Sequence, residues 1–158
     1  MTATLLVRLS FATAAFVSIA AGQVPRARPT LTPEVAAPAT AGSATRLLLR
    51  VRLPKDVHVQ SDRPRDASLI PTALTITPPP GVAVARISYP PSTDLRQPGR
   101  DTPLAVFSGE FVIAVDVAVT ARGPVTIPAQ LRYQACTEQV CFAPARAAVE
   151  WEVSVDVP

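Results

Sequence analysis

Both cysteines of the chain, Cys136 and Cys141, stand with four residues between them in the run Tyr133-Gln134-Ala135-Cys136-Thr137-Glu138-Gln139-Val140-Cys141-Phe142-Ala143-Pro144. Two sulfurs this close can exchange a disulfide with a partner thiolate, or they can form a fixed staple. A six-residue ring gains only about 2 kcal/mol from chain entropy, and a bridge between distant strands would gain more. Its geometry is also more constrained than that of a long-range bridge. Spacing alone therefore leaves redox pair and structural bridge both open. Glu138, between the cysteines, would oppose a thiolate, and Arg132 would favour one if it shared their face. The pair is better suited to being attacked by another protein's thiolate than to initiating attack.

Other chemistries find less support. His58 is the one histidine and, pointing opposite Val57 and Val59, is expected at a surface or sheet face. A copper or zinc site from Cys136, Cys141 and His58 would need two reduced thiolates outside the cytoplasm, so no metal and no cofactor is expected. There is no Ser/His/Asp hydrolase motif and no phosphate-binding glycine loop. Fifteen basic residues against twelve acidic ones give a formal charge of +3, scattered without a basic stripe, so no nucleic-acid partner is expected.

The loop needs a frame, and the residues before and after it supply one with period two. Leu47, Leu49, Val51 and Leu53 alternate with Arg46, Leu48, Arg50 and Arg52. Short strands are expected at Val57–Gln60, Leu74–Thr77 and Val82–Tyr89. A polar stretch, Pro90–Pro103, separates them from one long strand over Phe107–Thr120. Val125, Ile127, Ala129, Leu131 and Tyr133 share a face, as do Val149, Trp151, Val153, Val155 and Val157. Carried on from the 125–133 strand, the alternation puts Ala135 inward and Cys136 outward beside Arg132 and Gln134. Trp151 is a core residue. No helical period is visible outside the N-terminus, and the strands with their Pro- and Gly-rich turns predict an all-β, immunoglobulin-like β-sandwich.

Residues 1–22 read as an export signal: Arg8, an apolar run Leu9–Ala21, and small residues before Gln23. The run is shorter than the roughly 20 residues of a membrane span. Residues 23–44, with Pro25, Pro29, Pro33 and Pro38 and no apolar period, read as a flexible tether. The folded domain is then 45–158. Export implies a periplasmic or secreted protein, where a disulfide persists.

The stretch from Tyr133-Gln134-Ala135-Cys136 to Cys141-Phe142-Ala143-Pro144 resembles the Tyr-Gln-x-Cys…Cys-aromatic-x-Pro signature of the DsbD N-terminal domain family of thiol:disulfide interchange proteins. Looser matches are Val57-His58-Val59-Gln60-Ser61, the Pro80-Gly81 turn and Phe107-Ser108-Gly109-Glu110, so the similarity spans about residues 45–157. The resemblance implies an immunoglobulin-like periplasmic domain whose cysteine pair shuttles electrons. Such a domain is reduced by a thioredoxin-like partner and reduces other exported, disulfide-bonded proteins. By position, Cys136 would form the mixed disulfide and Cys141 would resolve it. The family's shielding cap loop would fall after Val82-Ala83-Val84, making Tyr89 its candidate aromatic, with a core or edge role the alternative. Tyr133, Gln134 and Phe142 are candidate partner-docking residues. DsbD continues into membrane and thioredoxin-like domains whereas this chain ends at Pro158, so a stand-alone exported domain fed by a thioredoxin-like or DsbD-type membrane protein is expected. The competing reading is a secreted immunoglobulin-like binding module with a purely structural disulfide.

Overall fold

Alternating burial carries the longest strands of this fold. The computed structural model describes residues 27–156, and the expected signal at 1–22 lies outside them. In chain order the strands are β1 (Thr30–Val35), β2 (Ala39–Thr40), β3 (Ser43–Arg52), β4 (His58–Gln60), β5 (Ala73–Ile76) and β6 (Val82–Ser88). They continue with β7 (Thr93–Leu95), β8 (Leu104–Ser108), β9 (Glu110–Val119), β10 (Gly123–Tyr133), β11 (Ala135–Cys136) and β12 (Ala145–Asp156). Three four-stranded sheets result, ordered β1-β3-β9-β6, β2-β12-β10-β5 and β11-β4-β8-β7. The fold is the all-β, immunoglobulin-like sandwich.

In the first sheet, β3 and β9 pair antiparallel from Ser43 opposite Val119 to Arg52 opposite Glu110. Their inward residues Leu47, Leu49, Val51, Ile113, Val115 and Val117 are buried. In the second sheet, β10 and β12 run antiparallel from Gly123 opposite Val155 to Tyr133 opposite Ala145. They bury Ile127, Leu131, Trp151 and Val153 against the same core. Trp151 joins the two layers directly, its indole Nε1 donating to the Leu48 carbonyl of β3 at 2.9 Å. Pro128 is tolerated within β10 because β5 ends at Ile76, opposite Ala129. No ladder bond is required of the missing N–H, while the Pro128 carbonyl accepts from Thr77 N at 2.9 Å.

Three expectations are corrected. The stretch read as a tether contains β1, which pairs with β3 from Thr30 opposite Arg52 to Val35 opposite Leu47. No residue of β1 is fully buried; the strand is held by backbone pairing, by Leu31 and Val35 packed half-buried against the core, and by Glu34, which accepts from Arg50 at 2.9 Å. A strand recruited that way leaves no apolar period to read. The single strand expected over Phe107–Thr120 is two strands in different sheets. Between them Gly109 adopts φ 64°, a left-handed conformation open to glycine, and its carbonyl accepts from Leu53 N at 2.7 Å. The polar stretch 90–103 also contributes β7, an edge strand beside β8.

Candidate functional site

β10 ends at Tyr133, and after Gln134 the chain crosses to the third sheet as β11. There Ala135 pairs with Val59 and Cys136 with His58. The alternation of β10 therefore does not continue through the crossing, and both Ala135 and Cys136 are buried. This overturns the outward placement expected for Cys136.

Beyond Cys136 the chain makes a small hairpin. Cys136 and Cys141 face each other as an antiparallel bridge, with Cα atoms 4.0 Å apart and the two sulfurs bonded. Hydrogen bonds bracket the pair: Thr137 N donates to Val140 O at 2.8 Å, and Phe142 N donates to Ala135 O at 2.9 Å. The cysteines are thus a non-hydrogen-bonded pair, the kind that brings side chains closest. Thr137 also closes the tip, its Oγ1 accepting from Gln139 N at 3.3 Å and Val140 N at 3.2 Å. Gln134 Nε2 donates to Phe142 O at 3.1 Å and fastens the returning strand.

The two sulfurs differ in access. Cys136 is 1% exposed, whereas Cys141 is exposed. Next to Cys141, Val140 is 51% exposed and is the one large hydrophobic residue left exposed among the described residues. Sequence reasoning passed over Val140, although it is the lone apolar residue in an otherwise polar loop. On the flank of the hairpin an open groove of about 810 Å³ is lined by Leu31, Tyr133, Ala135, Phe142, Pro144 and Ala147, among others.

Of the two placements expected for His58, surface or sheet face, the structure gives the sheet face: it is buried at 6% exposure on β4, the inner strand between β11 and β8. Burial alone lowers its basicity below the usual histidine value, so the ring is neutral at pH 7. Among the described residues its Nε2 has no hydrogen-bond partner, and the same holds for the buried Gln60 Oε1 on the same strand.

Of the other residues singled out, Tyr133, Gln134 and Phe142 gather at the hairpin. Tyr133 is buried and Phe142 half-buried; burial pushes the Tyr133 phenol up, partly offset by Arg28. Tyr89 is placed differently. Its ring stacks parallel to Phe107 with centroids 6.5 Å apart, and its hydroxyl accepts from Leu74 N at 2.7 Å. Phe107 pairs with Val59 and Val59 with Ala135, so Tyr89 lies against β8, two strands from β11, and packs on the core. Burial raises its phenol pKa. Arg132 stays on β10, opposite Arg146.

Comparison with known proteins shows the family to which this chain belongs. A family profile described as "Thiol:disulfide interchange protein DsbD, N-terminal" matches residues 27–152. Among curated proteins none matches the sequence. The N-terminal periplasmic domain of ScsB from Proteus mirabilis is similar in structure, with TM-score 0.56 at 13% identity, over 77% of this chain and 46% of that one. The reduced DsbD N-terminal domain of Neisseria meningitidis gives TM-score 0.47 at 18% identity, over 78% of this chain and 84% of that one. A complex between the DsbD and PilB N-terminal domains of the same organism gives 0.48 at 16%, over 76% and 80%. The matched profile covers most of the chain, including every strand but the end of β12, and the chain belongs to the DsbD N-terminal domain family.

Proposed function

We propose that this chain is a periplasmic thiol–disulfide exchange domain that takes electrons from a thioredoxin-like partner and passes them to disulfide-bonded client proteins. The observation that carries this reading is the unequal exposure of the pair: Cys141 is open beside Val140, and Cys136 is covered. Attack on a disulfide is steered by which sulfur can be reached. That argues for Cys141 as the sulfur that joins partners and Cys136 as the one that resolves, the reverse of the order carried over by position.

In the reducing half, a partner thiolate attacks Cys141 Sγ, the intramolecular S–S bond breaks, and Cys136 leaves with the electron pair and takes a proton. A second partner thiolate then attacks the partner's own sulfur in the mixed disulfide, releasing Cys141 as a thiolate. The partner ends oxidised by two electrons, and this domain holds two thiols once the Cys141 thiolate has taken a proton from water. Towards a client the same steps run in reverse. The open groove beside Tyr133 and Phe142 suits a protein surface at the point of attack.

Single-cysteine variants test the reading. Cys136→Ser, which keeps Cys141, is expected to trap a mixed disulfide with a periplasmic thioredoxin-like protein, and Cys141→Ser is not. Trapping by Cys141→Ser alone would reverse the assigned order. Failure of both, together with a bond that resists reduction below about −300 mV, the range of structural disulfides, would leave the structural-bridge reading in its place.

A further inference from the structure

Strand register sets four side chains in one row across the third sheet. On β4, His58 is opposite Ser108 of β8 on one side and Cys136 of β11 on the other, and Cys136 is opposite Cys141. Directly opposed residues of antiparallel strands project from the same face with Cβ atoms about 4.5–5.5 Å apart. His58 and the buried Cys136 are therefore direct cross-strand neighbours on one face of the sheet, and Nε2 of the imidazole is covered and unpartnered among the described residues.

We infer that His58 is the proton acceptor and donor for Cys136, the buried sulfur of the pair. The inference rests on the exchange reading above and adds to it the group that handles the proton. A thiolate forming at a site 1% exposed loses most of its hydration, so its charge must be met within the protein. When a client is reduced, the Cys141 thiolate attacks the client disulfide, and the first client sulfur leaves as a thiolate. His58 then accepts the proton from Cys136 Sγ. The resulting thiolate attacks Cys141 Sγ, the bond from Cys141 to the client breaks, and the second client sulfur leaves with the electron pair. The imidazolium afterwards gives its proton to that sulfur or to water. Two electrons pass from the domain to the client, and the proton count closes.

The surroundings suit this role. The register neighbours of His58 are Ser108 from β8 and Cys136 from β11, with Gln60 two residues on along its own strand, and none of these is charged. Glu110, just past β8, is engaged by Arg50 and Arg52, and Glu138 in the hairpin tip is exposed. Burial is the one cause of the lowered basicity, which leaves the ring neutral and ready to accept. The unpartnered Gln60 Oε1 sits on the same face two residues on, an acceptor for an N–H of the charged ring. Ser108 is exposed, so one residue separates the imidazole from water on that side.

The test is the reaction of the reduced protein with an aromatic disulfide reagent such as 5,5′-dithiobis(2-nitrobenzoate), followed by stopped flow. The first release of thionitrobenzoate reports attack by Cys141, and the second reports ring closure by Cys136. His58→Gln is expected to leave the first phase within about twofold. The second phase should slow at pH 7 by about 100-fold, the lower end of general-base contributions, and the deficit should disappear as pH rises above the thiol range. In the wild-type protein, the ring-nitrogen resonances and titration of His58 should shift when the disulfide is reduced, a readout that needs no variant to fold. A second phase unchanged in rate and pH slope, or His58 resonances identical in both redox states, would overturn the inference while leaving the exchange reading intact. Absence of any second phase in the wild-type protein would instead remove the exchange reading, and this inference with it.

Discussion

Val140 projects into solvent one residue before the exposed Cys141, on a tip whose shape is set by Thr137 rather than by packing. An apolar side chain in that position offers contact area to a docking protein and nothing to a small thiol. Val140→Ser is therefore expected to slow reduction by a protein partner by about three- to tenfold, the effect of losing roughly 1 kcal/mol at an interface anchor. Reduction by dithiothreitol should stay within twofold. Parallel rate measurements check it, and equal losses with both reductants would mean that Val140 shapes the hairpin instead of meeting a partner. Tyr133 is spent on the core, and Phe142 is half-buried with both its backbone groups engaged in the hairpin.

Among the elements, β1, β3 and β9 are laced on their outer faces by charge. Arg50 bonds both Glu34 of β1 and Glu110 of β9, Arg52 also bonds Glu110, and Arg46 bonds Asp116. Their arginine partners hold Glu34, Glu110 and Asp116 below the usual carboxylate range. A carboxylate whose folded pKa is depressed stabilises above its unfolded value, and that contribution is lost as pH falls through the folded one. Stability should thus decline below about pH 4.5, and added salt should soften the decline. Glu110→Gln is expected to lower the urea midpoint slightly at pH 7 and to flatten its acid limb; an unaltered limb would show that the ladder carries no linkage.

How far such elements were legible depended on what held them. β3, β9, β10 and β12 each present one face to the core and one to water, so Leu47, Ile113, Ile127 and Trp151 announced them through period two. β1 buries no side chain completely and contains Pro33, and its cause lies in a partner strand that a local reading does not see. Gly109 divides the stretch read as one strand because the two halves, β8 and β9, join different sheets. The cysteine motif itself was fully visible. The burial of Cys136 and the position of His58 were not, because both follow from β11 and β4 pairing across 75 residues or more of chain.

At the scale of the whole molecule, Trp151 does what a covalent link between the layers might otherwise do. It fills the space between the sheets while its indole N–H meets the Leu48 carbonyl. Trp151→Phe would leave a void and a carbonyl without its donor. It is expected to cost about 2–4 kcal/mol, with an unchanged denaturant slope if unfolding stays two-state. A loss below about 1 kcal/mol would mean that the sheets repack without the indole.

Because the sandwich is closed by its core, the disulfide is free of that duty, and the bracketed hairpin gains a kinetic property. The bonds from Thr137 N to Val140 O and from Phe142 N to Ala135 O hold the two cysteine backbones face to face through groups other than the sulfurs. Each thiol then meets the other at a high effective concentration. Re-forming the ring then requires a local rotation of side chains instead of a search by the chain.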